Sequence, residues 1–445
     1  MNSTILSNTS RSVIKAGGGP MSDCISIKNF VNLANSDPRF QIFVLSAPGR
    51  TEDSDKITDL LISCYNNATS RLDFQPYFDQ IASRFTEISA CFGLESLDIY
   101  LARELWTKLY NLRKYPNSVS YDWVVSRGEY MISKIVAEIL GATLVKPEEC
   151  IFLGHDNRIL NRTYPVLADL LSDKTRRYVV PGFYGCNNDG ELAIFPRGWS
   201  DTSGAIVAKA INAFEYVNLK DVPGVAIADP KIVGDDVEYL TSLTPEQMYE
   251  LSSRGAGVLH PSAIAPVEEA EIPIRFVSVY EPQIAGTVVT KDSVNDKLAL
   301  TGCKQCVSYH IYRPGMDDQI GFGEAALRIL HRGNVSFEHI TTGQQDMTIT
   351  LLQSEVDKIG EDALCSDLTT KLKAKVDYFP ISTVSIVSIG RAIGPALIGK
   401  IANALSEIDI DFQFISKASG RSLTMGINRS EYDVVIRTLY DICVT

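Results

Sequence analysis

Three short apolar runs in the first half of the chain each end in a breaker that opens onto a helical pattern, and no other feature restricts the possible folds as much. Ser12-Val13-Ile14-Lys15 runs into Gly17-Gly18-Gly19, Gln41-Ile42-Phe43-Val44-Leu45 into Ser46-Ala47-Pro48-Gly49, and Tyr178-Val179-Val180 into Pro181-Gly182-Phe183-Tyr184-Gly185. Strands with one wet face alternate apolar and polar residues, and these runs do not. Nearly continuous apolar character means both faces are covered, which predicts an α/β fold: a mainly parallel sheet with helices on both faces. Ligands of such sheets bind beyond the carboxyl ends of the strands, so the loops after these runs are the places to look.

At 445 residues the chain has room for two or three domains. Its 45% hydrophobic and 22% charged residues fit a soluble globular protein. A net charge of −12 argues against nucleic-acid and anionic-membrane partners, while leaving room for a nucleotide in a local basic pocket. Residues 1–12 read as a polar leader without a signal-peptide core, and no apolar run approaches the about 18 residues of a membrane span. Nine scattered cysteines suit a reducing, cytoplasmic setting. The one close pair, Cys303-Lys304-Gln305-Cys306, lacks two further ligands for zinc, and His310 alone does not supply them; no metal or redox centre is assigned there.

From about residue 303 the chain repeats itself. Leu330-His331-Arg332-Gly333-Asn334-Val335-Ser336-Phe337-Glu338-His339-Ile340 aligns with Leu405-Ser406-Glu407-Ile408-Asp409-Ile410-Asp411-Phe412-Gln413-Phe414-Ile415. In both copies a helix turns into an alternating strand (Val335, Phe337 against Ile410, Phe412), and a second strand follows near Met347–Leu351 and Leu423–Ile427. Two β-α-β-β units predict paired ferredoxin-like βαββαβ modules. The expected division is a leader at 1–12, an α/β domain over 13–290, a polar junction at 291–300, and modules over 303–380 and 381–445.

Several loops carry charge in useful places. Pro196-Arg197-Gly198-Trp199-Ser200-Asp201 opens onto an apolar helical run from Thr202, and a helix N-terminus receives anions, although Ser200 or Asp201 could equally be a cap. Lys15 precedes Gly17 and Gly18, which let backbone N–H groups approach an anion; an ordinary surface lysine before a turn gives the same local pattern. Glu129, in Ser126-Arg127-Gly128-Glu129, is either a carboxylate for an ammonium group or a residue favourable to the helix dipole. Ser46 and Thr58 bracket a polar loop, and Lys220-Asp221-Val222-Pro223-Gly224 reads as a β-turn. Gly394-Pro395-Ala396-Leu397-Ile398-Gly399-Lys400 is a near miss to a phosphate-binding loop, but Ile401 replaces the hydroxyl and the run reads as the start of a core helix.

Taken in order, these segments resemble the aspartate kinases of the amino-acid kinase superfamily. The matching series is Lys-x-Gly-Gly, Ser-Ala-Pro, Lys-x-Thr-Asp-Leu-Leu, Ser-x-Gly-Glu, Pro-Gly-Phe-x-Gly, Arg-Gly-x-Ser-Asp, Asp-Val-Pro-Gly, Ala-Asp-Pro, Gly255–Pro261 and Gly286-Thr287. The resemblance implies that 13–290 is the catalytic domain and that the repeat is a pair of ACT modules. It implies phosphorylation of the side-chain carboxylate of L-aspartate by ATP with Mg2+, the entry step to lysine, threonine and methionine biosynthesis. Lys15 and Asp201 would be catalytic. Ser46, Thr58, Glu129, Arg197 and Ser200 would bind aspartate. Gly17, Gly18, Lys220, Asp221 and Lys231 would face the nucleotide, with no dedicated metal ligands. Gly321, Gly323, Glu338 and Thr342 would bind an amino-acid effector, lysine or threonine, in a homodimer or higher homo-oligomer. The chain departs from the family pattern at Ala16, Gly19-Pro20, Pro196, Trp199, Lys220, Ala226 and Gly257. These departures keep two alternatives open, a non-catalytic amino-acid-sensing paralogue and a kinase for a different amino acid.

Overall fold

The computed structural model of the protein describes residues 10–155, 158–195, 200–234, 236–293, 295–390, 392–416 and 420–444. They gather into two compact units: the first from Met1–Val225, Tyr239–Met248 and Val258–Ser293, the second from Ala226–Glu238, Tyr249–Gly257 and Val294–Thr445. No helix among the described residues is long and apolar enough to cross a membrane.

The first unit is built on eight strands: β1 (Ser12–Ala16), β2 (Phe40–Leu45), β3 (Thr143–Leu144), β4 (Tyr178–Pro181), then, after the separate antiparallel pair β5 (Tyr184–Cys186) and β6 (Leu192–Ile194), β7 (Tyr216–Lys220), β8 (Ser242–Leu243), β9 (Ile274–Ser278) and β10 (Val288–Val289). Their order across the sheet is β3-β4-β2-β1-β7-β9-β10-β8. All neighbours are parallel except the antiparallel pair β9 and β10. The three apolar runs of the sequence are thus the adjacent strands β4, β2 and β1, and their breakers emerge side by side.

Both faces of the sheet are covered. Ile14 and Ala16 point into a core shared with the helices Cys24–Ser36, Ile57–Thr69 and Arg127–Leu140. Lys15, on the opposite face of β1, meets the helix Ser200–Ala210. Asp23 caps the helix Cys24–Ser36 by accepting the Ser26 N–H at 2.8 Å. Gly141 ends the helix Arg127–Leu140 with φ of 60°, where a side chain would be strained.

The scatter of the cysteines suggested a reducing setting, but two of them are not free: Cys24 and Cys91 form a disulfide. Cys24 opens the helix Cys24–Ser36 and Cys91 caps the helix Gln75–Ala90, so folding joins two thiols that are 67 residues apart in sequence.

The second unit holds a six-stranded antiparallel sheet of β11 (Leu298–Tyr312), β12 (His339–Thr342), β13 (Asp346–Leu352), β14 (Lys375–Ser388), β15 (Phe412–Ser416) and β16 (Ser422–Asn428), ordered β12-β13-β11-β14-β16-β15. β11 and β14 are long enough to serve two modules. Residues 306–312 of β11 pair with 375–381 of β14, and residues 298–303 pair with 383–388. One core lies between the first half-sheet and the helices Phe322–Arg332 and Glu361–Leu372. The other lies between the second half-sheet and the helices Pro395–Glu407 and Tyr432–Val444, and takes in Ala228 from the segment Ala226–Glu238.

The sequence repeat is visible atom by atom at the two helix ends. Asn334 and Asp409 both have positive φ, 51° and 55°. Val335 N–H donates to Leu330 O, and Ile410 N–H to Leu405 O, each at 3.0 Å. One detail differs from expectation: β12 starts only at His339, because Val335 tucks into the core and the Ser336 N–H is taken by the Glu355 carboxylate at 3.0 Å. The phosphate-loop near miss is a helix start, with Gly394 as its cap and Ile401 and Leu405 in the core.

Candidate active site

Register places the first charged groups. Lys15 on β1 lies beside Asn218 on β7, and Val13 beside Tyr216. Parallel neighbours in register point to the same face, so Lys15, Tyr216 and Asn218 converge beneath the helix Ser200–Ala210. Asp201, in its first turn, receives all of them. Its Oδ1 lies 2.6 Å from Lys15 Nζ, 3.2 Å from Asn218 Nδ2 and 3.5 Å from Lys220 Nζ. Its Oδ2 accepts the His260 backbone N–H at 3.2 Å, and its carbonyl accepts Tyr216 OH at 2.9 Å. Asp201 is therefore no helix cap; its side chain is committed to cations on the sheet.

Electrostatics follows from this burial. Desolvation would raise the Asp201 carboxyl, but Lys15 and Lys220 together hold it well below the usual carboxylate range. Burial lowers the Lys15 ammonium to about 8 despite its partner. Glu129 is also buried, and desolvation pushes its carboxyl up to about 7 against the pull of the Ala47 N–H and of Lys15. Its Oε2 has no hydrogen-bond partner among the described residues. An unpaired, buried carboxylate oxygen next to a cation cluster is a place for an ammonium group.

The glycine turn after β1 packs against the loop after β2. Gly49 N–H donates to Gly18 O at 2.9 Å, and a Cβ on Gly18 would sit 3.1 Å from Gly49 Cα. Only glycines allow two backbones to approach this closely. Gly17 lies beside the Lys15 ammonium and the Lys220 stem, and Gly19 beside Asp221.

The structure brings Lys15, Glu129, Asp201, Lys220, Gly17 and Gly18 to one end of the sheet. Ser46, on the loop after β2 with its N–H donated to Ala16 O at 3.0 Å, and Thr58, in the first turn of the helix Ile57–Thr69, are half-buried. Ser200 starts its helix against Gly182 of the turn after β4. Arg197 and Trp199 lie outside the described residues. Lys231 is exposed on the short helix Pro230–Val233, which belongs to the second unit. In that unit Gly321 precedes the helix Phe322–Arg332 with φ of 86°, and Gly323 and Thr342 share Met347 as a neighbour. Glu338 lies at the other end of β12, its carboxyl raised by burial and by Glu355.

Sequence reasoning missed five contributors. Tyr216 and Asn218 sit inside an apolar strand and looked like filler. Thr202 and Ser262 hydroxyls meet at 2.5 Å, and Ser262 Oγ also lies 2.6 Å from His260 Nδ1, which ties the loop after His260 to the helix start. The Gly255–Pro261 motif contained His260, but its contribution to Asp201 is a backbone N–H, which no side-chain pattern reveals.

Two lysines, a glycine turn and a helix start have the chemistry to receive a polyphosphate, and a separate buried carboxylate has the chemistry to receive an ammonium. No group of three or more His, Cys, Asp or Glu side chains able to hold a metal occurs among the described residues.

The chain is similar to known proteins over most of its length. The model of the amino acid kinase family matches residues 10–278. Aspartokinase 3 of Bacillus subtilis is 28% identical over 446 residues, covering 96% of this chain and 97% of that one. The crystal structure of Clostridium acetobutylicum aspartate kinase superposes with a TM-score of 0.74 at 27% identity, covering 98% of this chain and all of the other. Aspartokinase III of E. coli, solved in complex with aspartate and ADP, shares the fold with a TM-score of 0.84 at 22% identity, again covering 98% of this chain and all of that one.

Proposed function

The chain belongs to the amino acid kinase family, and from that premise we propose that it is an aspartate kinase, moving the terminal phosphoryl group of ATP to the side-chain carboxylate of L-aspartate. The observation that carries this reading is the cluster at the ends of β1 and β7: Lys15 and Lys220 on Asp201, with the unpaired Oε2 of Glu129 nearby.

The chemistry asks for little covalent help. The β-carboxylate of aspartate is ionised at neutral pH and needs no general base. One of its oxygens forms a bond to the γ-phosphorus, the bond from that phosphorus to the bridging oxygen breaks, and ADP leaves with the electron pair. The products are ADP and an acyl phosphate. The obstacle is the approach of two anions. Lys15 and Lys220 neutralise phosphate charge, Gly17, whose own N–H goes to Leu219 O at 3.2 Å, leaves room for the phosphate, the Gly18 N–H approaches its oxygens, and magnesium arrives on the nucleotide. Glu129 takes the α-ammonium, and Arg197 takes the α-carboxylate in a bidentate pair. Ser46, Thr58 and Ser200 line the aspartate side. Asp221 and Lys231 belong to the nucleotide side. Asp201 holds both lysines where the transferred group passes.

The repeated modules supply regulation in this reading. An amino-acid effector, lysine or threonine, binds the first module through Gly321, Gly323, Glu338 and Thr342, and the chain works as a homodimer or a higher homo-oligomer.

Coupled ADP release with aspartate and Mg-ATP tests the activity. The expected result is turnover that depends on aspartate and is lost in Lys15→Ala. Turnover no higher than that of the variant, or a preference for another acid in a substrate panel, would overturn the assignment.

A further inference from the structure

We propose that Cys303 and Cys306 form a peroxide-reactive dithiol that closes to a disulfide across the bulge of β11. The inference is independent of the kinase reading.

In an unbroken strand, residues three apart point to opposite faces and cannot meet. Here Cys303 lies opposite Thr383 and Cys306 opposite Ile381, so Lys304 and Gln305 together face the single residue Ser382. That two-to-one mismatch is a β-bulge. It moves the cysteines into positions equivalent to a spacing of two, where side chains share a face. Two strand positions span about 6.8 Å at full extension, and a bulge bends the strand and shortens the distance. A disulfide needs Cα atoms about 4.4–6.8 Å apart.

Hydrogen bonds fix the bulge at its corners. Cys303 N–H donates to Thr383 Oγ1 at 3.2 Å, Ser382 Oγ to Lys304 O at 2.7 Å, and Arg429 Nη2 to Cys306 O at 2.7 Å. Cys306 S–H donates to Cys303 O at 3.7 Å, which holds the two residues together across the bulge. The pair is also asymmetric. Both thiols are free, with Cys303 partly exposed and Cys306 buried. The neighbouring Cys306 thiol lowers the pKa of Cys303, whereas Cys303 and burial raise that of Cys306. Cys303 is therefore the attacking sulfur and Cys306 the resolving one.

The step balances with hydrogen peroxide as oxidant. The Cys303 thiolate attacks one peroxide oxygen and the O–O bond breaks. Cys303 becomes a sulfenic acid, and the departing hydroxide takes the former thiol proton as water. Cys306 sulfur then attacks Cys303 sulfur, the S–O bond breaks, and a second water leaves with the Cys306 proton. The two sulfurs lose two electrons and the peroxide oxygens gain them. The product staples the residue at which β11 passes from one half-sheet to the other.

The test exposes the full-length protein to hydrogen peroxide, then alkylates, digests and weighs the peptides. The peptide holding both cysteines should lose two hydrogen masses, resist alkylation, and regain two alkylatable thiols after dithiothreitol. Cys24–Cys91 reports on separate peptides. Cys306→Ser should leave a sulfenic acid on Cys303 that dimedone traps, and Cys303→Ser should leave Cys306 reduced, with both variants melting within a few degrees of the parent. Full alkylation of both thiols after peroxide, or sulfinic acid on Cys303 without a disulfide in the parent, would overturn the proposal.

Discussion

Lys15 Nζ lies 2.6 Å from Asp201 Oδ1, and both side chains are buried. Removing one partner strands a charge away from water, which costs about 3–5 kcal/mol. Asp201→Asn and Lys15→Ala should therefore each lower the melting temperature. Each should also cut kcat by about 10²–10³-fold, the usual loss when one electrostatic stabiliser is removed. The double variant leaves only the partly exposed Lys220 without its carboxylate, so it should lose less than the two single variants added together while remaining inactive. A double variant that melts as low as the sum of the singles would show that the pair is not coupled.

The pH dependence of kcat/KM for aspartate should be a narrow bell. Glu129 must be ionised to take an ammonium, and its carboxyl is raised to about 7 by burial, so activity climbs through that pH. Lys15 must be charged to face phosphate, and burial lowers it to about 8, so activity falls above that. Glu129→Gln should abolish the rising limb and leave the falling one. The same shift acts on stability. Between the ordinary 4.5 and about 7, folded Glu129 keeps a proton that the unfolded chain has released. The folded state therefore loses stability as pH rises across that window, and Glu129→Gln should flatten this part of a melting curve.

These residues were legible because each charge stands next to a chain breaker: Lys15 before glycines, Asp201 at a helix start, Glu129 after Gly128. Asn218 and Tyr216 were not, since a polar side chain inside a buried strand looks the same whether it fills space or holds a catalytic carboxylate. Only the register of β1 against β7 separates the two cases. The repeat was legible through its helix ends. The shared strands β11 and β14 were not, because residues 298–303 complete the second half-sheet from a position ahead of both repeated units. The fold class needed only the lengths and apolar continuity of β1, β2 and β4.

Arg84 ties the two loops of the site together. Its Nη1 donates to Ser22 O at 2.6 Å and to Gly49 O at 3.4 Å, and its Nη2 to Thr51 Oγ1 at 2.7 Å and to Ser54 O at 3.5 Å. It is buried, so truncation leaves its partners unsatisfied at about 1–3 kcal/mol for each orphaned group. Arg84→Ala should raise the KM for aspartate several-fold with a smaller change in kcat, and added guanidinium should restore part of the loss. An unchanged KM in a folded variant would mean that the loop holds its shape without the clamp.

Space around two glycines predicts opposite outcomes for one substitution. A Cβ on Gly204 would fall 2.7 Å from the Tyr216 ring and 3.0 Å from Lys15 Cβ. Gly204→Ala should cost about 1–3 kcal/mol by overpacking and should lower kcat by displacing Lys15. Gly399, inside the helix Pro395–Glu407, has nothing within 4 Å of that position. Gly399→Ala should raise stability by about 0.5–1 kcal/mol and leave kcat alone. Chemical denaturation of the two variants separates the effects.

The twin helix ends allow the repeat to be tested as physics rather than as alignment. Asn334 and Asp409 hold the left-handed conformation at equivalent places, φ 51° and 55°, each followed by a residue whose N–H returns to the helix. Glycine meets no steric penalty there, whereas a residue with a branched Cβ pays about 1–2 kcal/mol. Asn334→Gly and Asp409→Gly should be neutral or mildly stabilising, and Asn334→Val and Asp409→Val should each destabilise by about that amount. Val335 and Ile410 serve separate cores, so the two valine substitutions should add to within about 0.5 kcal/mol in one chain. Equal and additive losses in denaturant titrations are expected; a loss at one site and none at the other would show that the two helix ends share a sequence pattern without sharing its mechanical role.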